Sequence, residues 1–372
     1  MAIYLDHNAT TPLAPEVLEA MLPYLTGPYA NASSLHRLGR AARDAVEQAR
    51  GEVAALVGAR PQDVIWTSGG TEANNLALKG LLSPGVPARI AYGATEHPAV
   101  MEAAESLRTS GVDVVALPVD GDGLLQSEGL AHALRQPTLL VSLMRANNET
   151  GVLHDLATLA PQIHAAGALL HVDAVQAAGK LALDVTTLGA DLLSLSSHKL
   201  YGPKGVGALV RVAPVDLQTQ QHGGAQEGGL RGGTLNVPAI VGFGAACAQA
   251  QAQLESRMDH MLALRQRLEA GLRTCAGVRI FAEAAERLPN TVQFALPGWA
   301  GEALLMQLDR RGFCVSSGSA CASGSGEPSH VLLAMGVDPD VAFGAVRASL
   351  GIGNTVDEID AFIDALRALA TP

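Results

Sequence analysis

The sequence predicts an α/β protein: a large domain with a mostly parallel sheet flanked by helices, plus a smaller α+β C-terminal domain. Three observations carry that reading. Apolar runs of strand length recur as far as Val212, and most lack polar alternation, as strands buried on both faces do. Helical patterns separate most of them, and this βα rhythm belongs to parallel sheets. Beyond Val212 the rhythm stops and short strands and helices follow.

The strand-length runs are Val64–Thr67, Arg89–Ala94, Val112–Leu117, Thr138–Met144, Ala168–Asp173, Asp191–Ser196 and Gly205–Val212. Helical patterns occupy Thr71–Leu82, Pro98–Thr109 and Leu156–Ala166. A glycine-rich stretch, "QHGGAQEGGLRGGTLN" (Gln221–Asn236), leads into one long Ala-, Leu- and Gln-rich helical segment from Pro238 to Leu272. Then come Asn290–Leu296, Gly301–Arg311, Phe313–Ser316, Val346–Leu350 and a last helix, Val356–Ala370. That helix opens with Thr355-x-x-Glu358, a capping box. The expected division is a large domain at 15–250 and a small domain at 251–372, with residues 1–14 packed on the small one.

Composition narrows the function. The 372 residues suit two domains, and 48% hydrophobic content supports a large core. Aromatics are 3%, so Ala, Leu, Val and Gly do the packing. A net charge of -11 argues against direct nucleic-acid binding and against a polybasic membrane patch. No apolar run reaches the length of a membrane span, and the start, Met-Ala-Ile-Tyr-Leu-Asp-His, lacks a signal-peptide pattern. Cys247, Cys275, Cys314 and Cys321 form no Cys-x-x-Cys pair and suit neither a metal site nor a disulfide framework. The expectation is a cytoplasmic protein with reduced thiols and no metal. Cys247 and Cys314 lie in apolar contexts and read as core; Cys275 is uninformative.

Ligands of open α/β sheets bind beyond the carboxyl ends of the strands. The residues just past each run are "SGGTEANN" (Ser68–Asn75), Glu96-His97-Pro98, Arg145-Ala146-Asn147-Asn148-Glu149, Asp173 with Gln176, and Ser196-Ser197-His198-Lys199. Each has an ordinary reading: a turn, a helix start, a buried aspartate, a solvated lysine. Together they meet the needs of pyridoxal 5'-phosphate. Lys199 can form a Schiff base, and Asp173 can pair with a protonated pyridine nitrogen. The turn at Gly70 and Thr71 feeds a helix N-terminus that suits a phosphate. His97 can stack on the ring, and Gln176 can donate to its phenolic oxygen.

These stretches carry a resemblance. The chain resembles the cysteine desulfurases of the NifS/IscS type, within the class V aminotransferase superfamily of PLP fold type I. The matching motifs run nearly end to end: "YLDHNATTP" (Tyr4–Pro12), "ASSLHRLG" (Ala32–Gly39), "TSGGTEANNLA" (Thr67–Ala77), "EHPAV" (Glu96–Val100) and "ANNETG" (Ala146–Gly151). "HVDAVQAAGK" (His171–Lys180), "SHKLYGPKGVGAL" (Ser197–Leu209), "SSGSACASGSGEPSHVL" (Ser316–Leu332) and "AVRASLG" (Ala345–Gly351) follow. The resemblance implies that Lys199 is the Schiff-base lysine, His97 the stacking residue, Asp173 the pyridinium partner and Gln176 the phenolic-oxygen donor. It places Thr71, Ser196 and His198 at the phosphate. Thr234 would reach the phosphate of a second subunit, which implies a homodimer. Asn148 and Arg347 match positions at the substrate carboxylate, where an arginine fork fits well.

Two departures stand out. The usual Gly-Asn-Pro-Ser-Ser reads Ala30-Asn31-Ala32-Ser33-Ser34, and the usual Glu-Arg reads Glu227-Gly228. They bear on loop shape and the subunit contact rather than on the chemistry.

Cys321 discriminates within the superfamily. It sits in a Ser-, Gly- and Ala-rich run, Ser316–Ser329, whose composition predicts a mobile loop rather than a core. The resemblance then implies that L-cysteine loses its sulfur to Cys321 as a persulfide and leaves as L-alanine. Lys199 or His97 would carry the Cα proton. The sulfur would go to an acceptor protein, an iron–sulfur cluster scaffold or a tRNA-thiolation relay protein. Three other readings share the features. A pyridoxal-phosphate lyase or aminotransferase keeps Lys199 and Asp173 without needing Cys321, and a selenocysteine lyase is closely related. A non-catalytic scaffold would not need all of Lys199, Asp173 and Cys321.

Overall fold

The computed structural model describes residues 2–27, 29–83, 85–317 and 327–370; Cys321 and most of the 316–329 loop lie outside the described residues. The strands are β1 (Ile3–Tyr4), β2 (Val64–Thr67), β3 (Arg89–Gly93), β4 (Asp113–Leu117), β5 (Leu140–Met144), β6 (Leu169–Asp173), β7 (Leu192–Ser196) and β8 (Gly207–Arg211). Later come β9 (Arg279–Ile280), β10 (Thr291–Ala295), β11 (Phe313–Cys314), β12 (Ser316–Ser317) and β13 (Ala345–Ser349). The helices are α1 (Pro15–Thr26), α2 (Arg37–Leu56), α3 (Gly70–Gly80), α4 (Pro98–Ser106), α5 (Ser127–Ala133), α6 (Leu156–Ala165) and α7 (Val185–Leu188). They continue with α8 (Val237–Ala252), α9 (Leu254–Leu272), α10 (Gly301–Arg310), α11 (His330–Ala334), α12 (Pro339–Phe343) and α13 (Val356–Ala370).

The main sheet has the order β2-β8-β7-β6-β5-β3-β4. β4, β3, β5, β6 and β7 are mutually parallel, and β8 runs antiparallel to β2 and β7. Strands β2, β5 and β7 are buried at every residue, which explains their unbroken apolar runs. Side chains still alternate between faces. Val64 and Trp66 pack with Val46, Ala49 and Phe243 of α2 and α8, while Ile65 packs with Leu76 and Val100 of α3 and α4.

The second sheet has the order β12-β13-β10-β9, and its strands pair antiparallel. It shares a core with α9, α10 and α13 through Leu264, Phe294, Leu304 and Phe362. β1 pairs in parallel with β11, and Asp6 bridges to Ser349 of β13. The capping box forms: Thr355 N donates to Glu358 Oε2 at 3.0 Å and Glu358 N donates to Thr355 Oγ1 at 3.3 Å.

Some expectations need correction. The long helix from Pro238 to Leu272 is two helices, α8 and α9, broken at Gln253. The single strand expected at Phe313–Ser316 is β11 and β12, which join different sheets. Helices α1, α2 and α5 were not anticipated. Cys247 is fully buried, but Cys314 is only half-buried.

Candidate active site

The cavity beyond the carboxyl ends of β5, β6 and β7 has a volume of about 630 Å³. It is lined by Gly70, Thr71, His97, Asn148, Asp173, Gln176, Ser196, His198, Lys199 and Arg347. The strand geometry explains the convergence. β6 and β7 are parallel neighbours in which Asp173 lies opposite Ser194. Asp173 ends one strand and Ser196 the other, and a 3-10 turn at Ser197–Lys199 swings the lysine into the opening. Thr234 is exposed and lines neither this cavity nor the adjoining one of its own chain.

Asp173 is buried and tightly held. Its Oδ2 accepts from Asn74 Nδ2 at 2.7 Å and its Oδ1 from Val175 N at 2.9 Å. Beside it, Glu96 is fully buried, with Oε1 accepting from Met144 N at 2.5 Å. Burial first, and then the Asp173 charge, hold the Glu96 carboxyl far above the usual carboxylate range. Lys199 Nζ donates to the carbonyls of Asn8 at 2.5 Å and Ala9 at 2.8 Å.

His97 caps α4. Its Nδ1 accepts from Ala99 N at 3.0 Å, so the proton of the neutral ring sits on Nε2. Burial pushes His97 below the ordinary histidine range; Asp173 opposes that, while Lys199 and His330 add to it.

An adjoining cavity of about 350 Å³ lies at the start of α3, among Ser68, Gly69, Gly70, Thr71, Ser196, His198 and Lys204. Backbone N–H groups and the positive end of the helix face it. A Cβ at residue 207 would come within 2.7 Å of the Gly69 backbone, so only glycine there lets β8 lie against this turn. The nearby carboxylate, Glu72, is engaged by Arg231 at 2.9 Å and by Ser68 N at 2.8 Å. His198 is held neutral, its pKa lowered to about 4 by burial and then by Lys199, Lys204 and Lys180.

Arg347, on β13, is almost wholly buried. It donates to Asp6 Oδ1 at 2.6 Å and to the Asn148 carbonyl at 3.1 Å. Among the described residues, Arg347 Nε and Asn148 Oδ1 are buried with no hydrogen-bond partner. Unmet buried polar atoms are costly, and both residues line the cavity. Next to Asn148, Glu149 accepts from Ser329 Oγ at 2.5 Å and from Gln293 Nε2 at 3.1 Å.

Several residues of the site were not singled out from the sequence. Asn8 contributes a backbone carbonyl, which no side-chain pattern reveals. Asn74 and Glu96 adjoin residues that were singled out, and their position past a strand end was the available signal. His330 lines the cavity and its Nε2 lies 3.0 Å from the Glu96 carbonyl.

The chain belongs to the class-V aminotransferase family, whose pattern matches residues 3–362. It is 47% identical over 366 residues to a cysteine desulfurase IscS of Anaeromyxobacter sp. (strain Fw109-5), covering 96% of this chain and 90% of that one. It is also 47% identical over 370 residues to a cysteine desulfurase of Cereibacter sphaeroides, covering 98% of this chain and 94% of that one. A solved NifS-like protein has the same fold, with a TM-score of 0.93, 36% identity and 99% coverage of each chain. The cofactor is pyridoxal 5'-phosphate, and the residues present fit it. Lys199 supplies an amine, Asp173 a buried carboxylate, and the start of α3 an anion cradle.

Proposed function

We propose that this cavity converts L-cysteine to L-alanine with Lys199, His97 and Cys321 as its catalytic residues. The chain is a pyridoxal-phosphate-dependent cysteine desulfurase that donates sulfur for iron–sulfur cluster assembly. The observation that carries the reading is the shared cavity of Lys199 and Asp173 at neighbouring strand ends. The bound cofactor supplies an electron sink for the carbanion at the substrate Cα. Asp173, held by Asn74 and the Val175 amide, would keep the ring nitrogen cationic. His97 would stack on the ring, and Gln176 would donate to the phenolic oxygen. Gly70, Thr71, Ser196 and His198 would hold the phosphate, with Thr234 reaching in from a second subunit. Arg347 and Asn148 orient the carboxylate of L-cysteine.

The geometry favours Lys199 as the base at Cα. With Nδ1 occupied by Ala99 N–H, the neutral His97 ring has its proton on Nε2 and can only donate there. Cys321 then takes the substrate sulfur: its thiolate forms the S–S bond as the C–S bond breaks. The persulfide passes to an acceptor protein, a cluster scaffold or a tRNA-thiolation relay.

A homodimer is supported by exposed Leu18, Leu22 and Leu25, which recur on one face of α1, with Tyr29 and Leu35 following. Separate cores support a large domain at 15–250 and a small one formed by 1–14 with 251–372, carrying the 316–329 loop. Among the described residues no helix is long and apolar enough to cross a membrane. That, with the free thiols of Cys247, Cys275 and Cys314, supports a cytoplasmic setting.

The test is an assay of alanine and sulfide from L-cysteine with reductant present. Equal yields are expected from the wild type. Cys321→Ser should keep the yellow cofactor and lose both products. Normal sulfide release by that variant would overturn the role of Cys321.

A further inference from the structure

Lys180 is a buried ammonium with no carboxylate beside it: among the described residues it joins no ion pair and is 5% exposed. Nζ donates instead to two oxygens of one residue, the Gln176 carbonyl and Gln176 Oε1, both at 3.0 Å. Burying a cation without a counter-charge is costly. Burial first, then Lys199 and Arg347, brings the lysine down to about 7. Lys180 does not line the cavity, so it meets neither substrate nor cofactor directly. His7 and His198 also lie in its field.

The turn before it aims it inward. Gly179 has φ 73°, and a Cβ there would stand 3.0 Å from that of Leu200. Lys180 N donates to the Ala177 carbonyl at 3.0 Å, which folds the chain back under Gln176.

A glutamine amide has an acceptor end and a donor end, and a half-turn exchanges them. While Lys180 is protonated, its ammonium facing Oε1 forbids the exchange, because it would set NH₂ against NH₃⁺. Nε2 is therefore fixed on the far side, where it donates to the Asn8 carbonyl at 2.8 Å. The same carbonyl accepts from Lys199 Nζ at 2.5 Å. The donor end of Gln176 and the reactive amine thus converge on one acceptor.

We infer that Lys180 is a positioning residue that locks Gln176 with its amide nitrogen toward the phenolic oxygen of the cofactor and so governs proton release at the Lys199 nitrogen. The inference rests on the role proposed above for Gln176. A donor on that oxygen weakens its hold on the Lys199 proton. Without the donor, the proton is retained to higher pH.

The readout is the pH midpoint of the bound cofactor's absorbance, measured on holoenzyme without substrate. Gln176→Ala should raise the midpoint by about one pH unit, the scale of a charge-assisted hydrogen bond. Lys180→Met should raise it similarly, and the double variant should go no higher than Gln176→Ala alone. Full additivity in the double variant overturns the inference, as does an unmoved midpoint in Lys180→Met beside a shifted Gln176→Ala. An unmoved midpoint in Gln176→Ala instead overturns the role of Gln176 itself. Should Lys180→Met not accumulate as folded holoenzyme, Lys180→Gln carries the test: its amide both donates and accepts, so it no longer bars the half-turn of Gln176. Its midpoint should rise toward that of Gln176→Ala; an unmoved midpoint beside a shifted Gln176→Ala refutes the inference.

Discussion

Replacing Arg347 by lysine keeps a positive charge and removes the planar fork. Arg347 is 1% exposed and already spends one nitrogen on Asp6 at 2.6 Å and another on the Asn148 carbonyl at 3.1 Å. Its guanidinium lines the cavity, where a substrate carboxylate would meet it. A hydrogen bond to a charged group is worth about 1.5–3 kcal/mol. At about 1.4 kcal/mol per decade, losing it should raise KM for L-cysteine roughly ten- to a hundredfold. Alanine is the blunter choice: it would also strand the Asp6 carboxylate and cost about 3 kcal/mol of stability or more. The assay is initial alanine formation against L-cysteine concentration, with cofactor content read by absorbance. An unchanged KM in Arg347→Lys, accompanied by loss of cofactor, would refute the assignment of Arg347 to the substrate.

Two further outcomes follow from buried polar groups. Glu227 accepts from both Arg50 terminal nitrogens at 2.9 Å and from Trp66 N at 3.0 Å, and its side chain is 3% exposed. Glu227→Ala leaves Arg50 only the more exposed Glu47 at 3.1 Å and the Val64 carbonyl at 2.7 Å, and should cost about 1–3 kcal/mol in urea unfolding; no measurable loss contradicts the pairing. His171 is fully buried between the hydroxyls of Ser142 at 2.8 Å and Ser194 at 2.9 Å, with its pKa lowered to about 4 by burial. The unfolded chain takes up a proton there near pH 6.5 and the folded one does not. The stability from a neutral His171 is therefore present above about pH 6.5 and is lost toward pH 4, at about 1.4 kcal/mol per unit. The stability gap between wild type and His171→Asn should narrow over that range, and a constant gap contradicts the argument.

Much of this was legible in the sequence, for physical reasons that can be named. Strands buried on both faces leave unbroken apolar runs, so all seven strands of the main sheet could be read to within a few residues. Their carboxyl ends then pointed to Lys199, Asp173, His97 and Gln176. Helix α2 was missed although Ala42, Ala45, Val46, Ala49 and Val53 recur at helical spacing on its buried face, so its signal was present in the sequence. The break between α8 and α9 falls at Gln253 with neither Pro nor Gly to signal it. The split of β11 from β12 depends on which sheet each joins, a long-range choice. Glu227 illustrates the limit best. The sequence marks an unusual Glu227-Gly228 in a loop, but not that this glutamate, at φ 50°, reaches a buried arginine far along the chain.

The central claim is that Lys199 holds pyridoxal phosphate in the cavity it shares with Asp173. Borohydride reduction of the purified yellow protein, followed by peptide mass spectrometry, tests it directly. The account predicts a pyridoxyl group on the peptide containing Lys199. A pyridoxyl group on Lys180, Lys204 or any other lysine, or no label after reconstitution with cofactor, would contradict it.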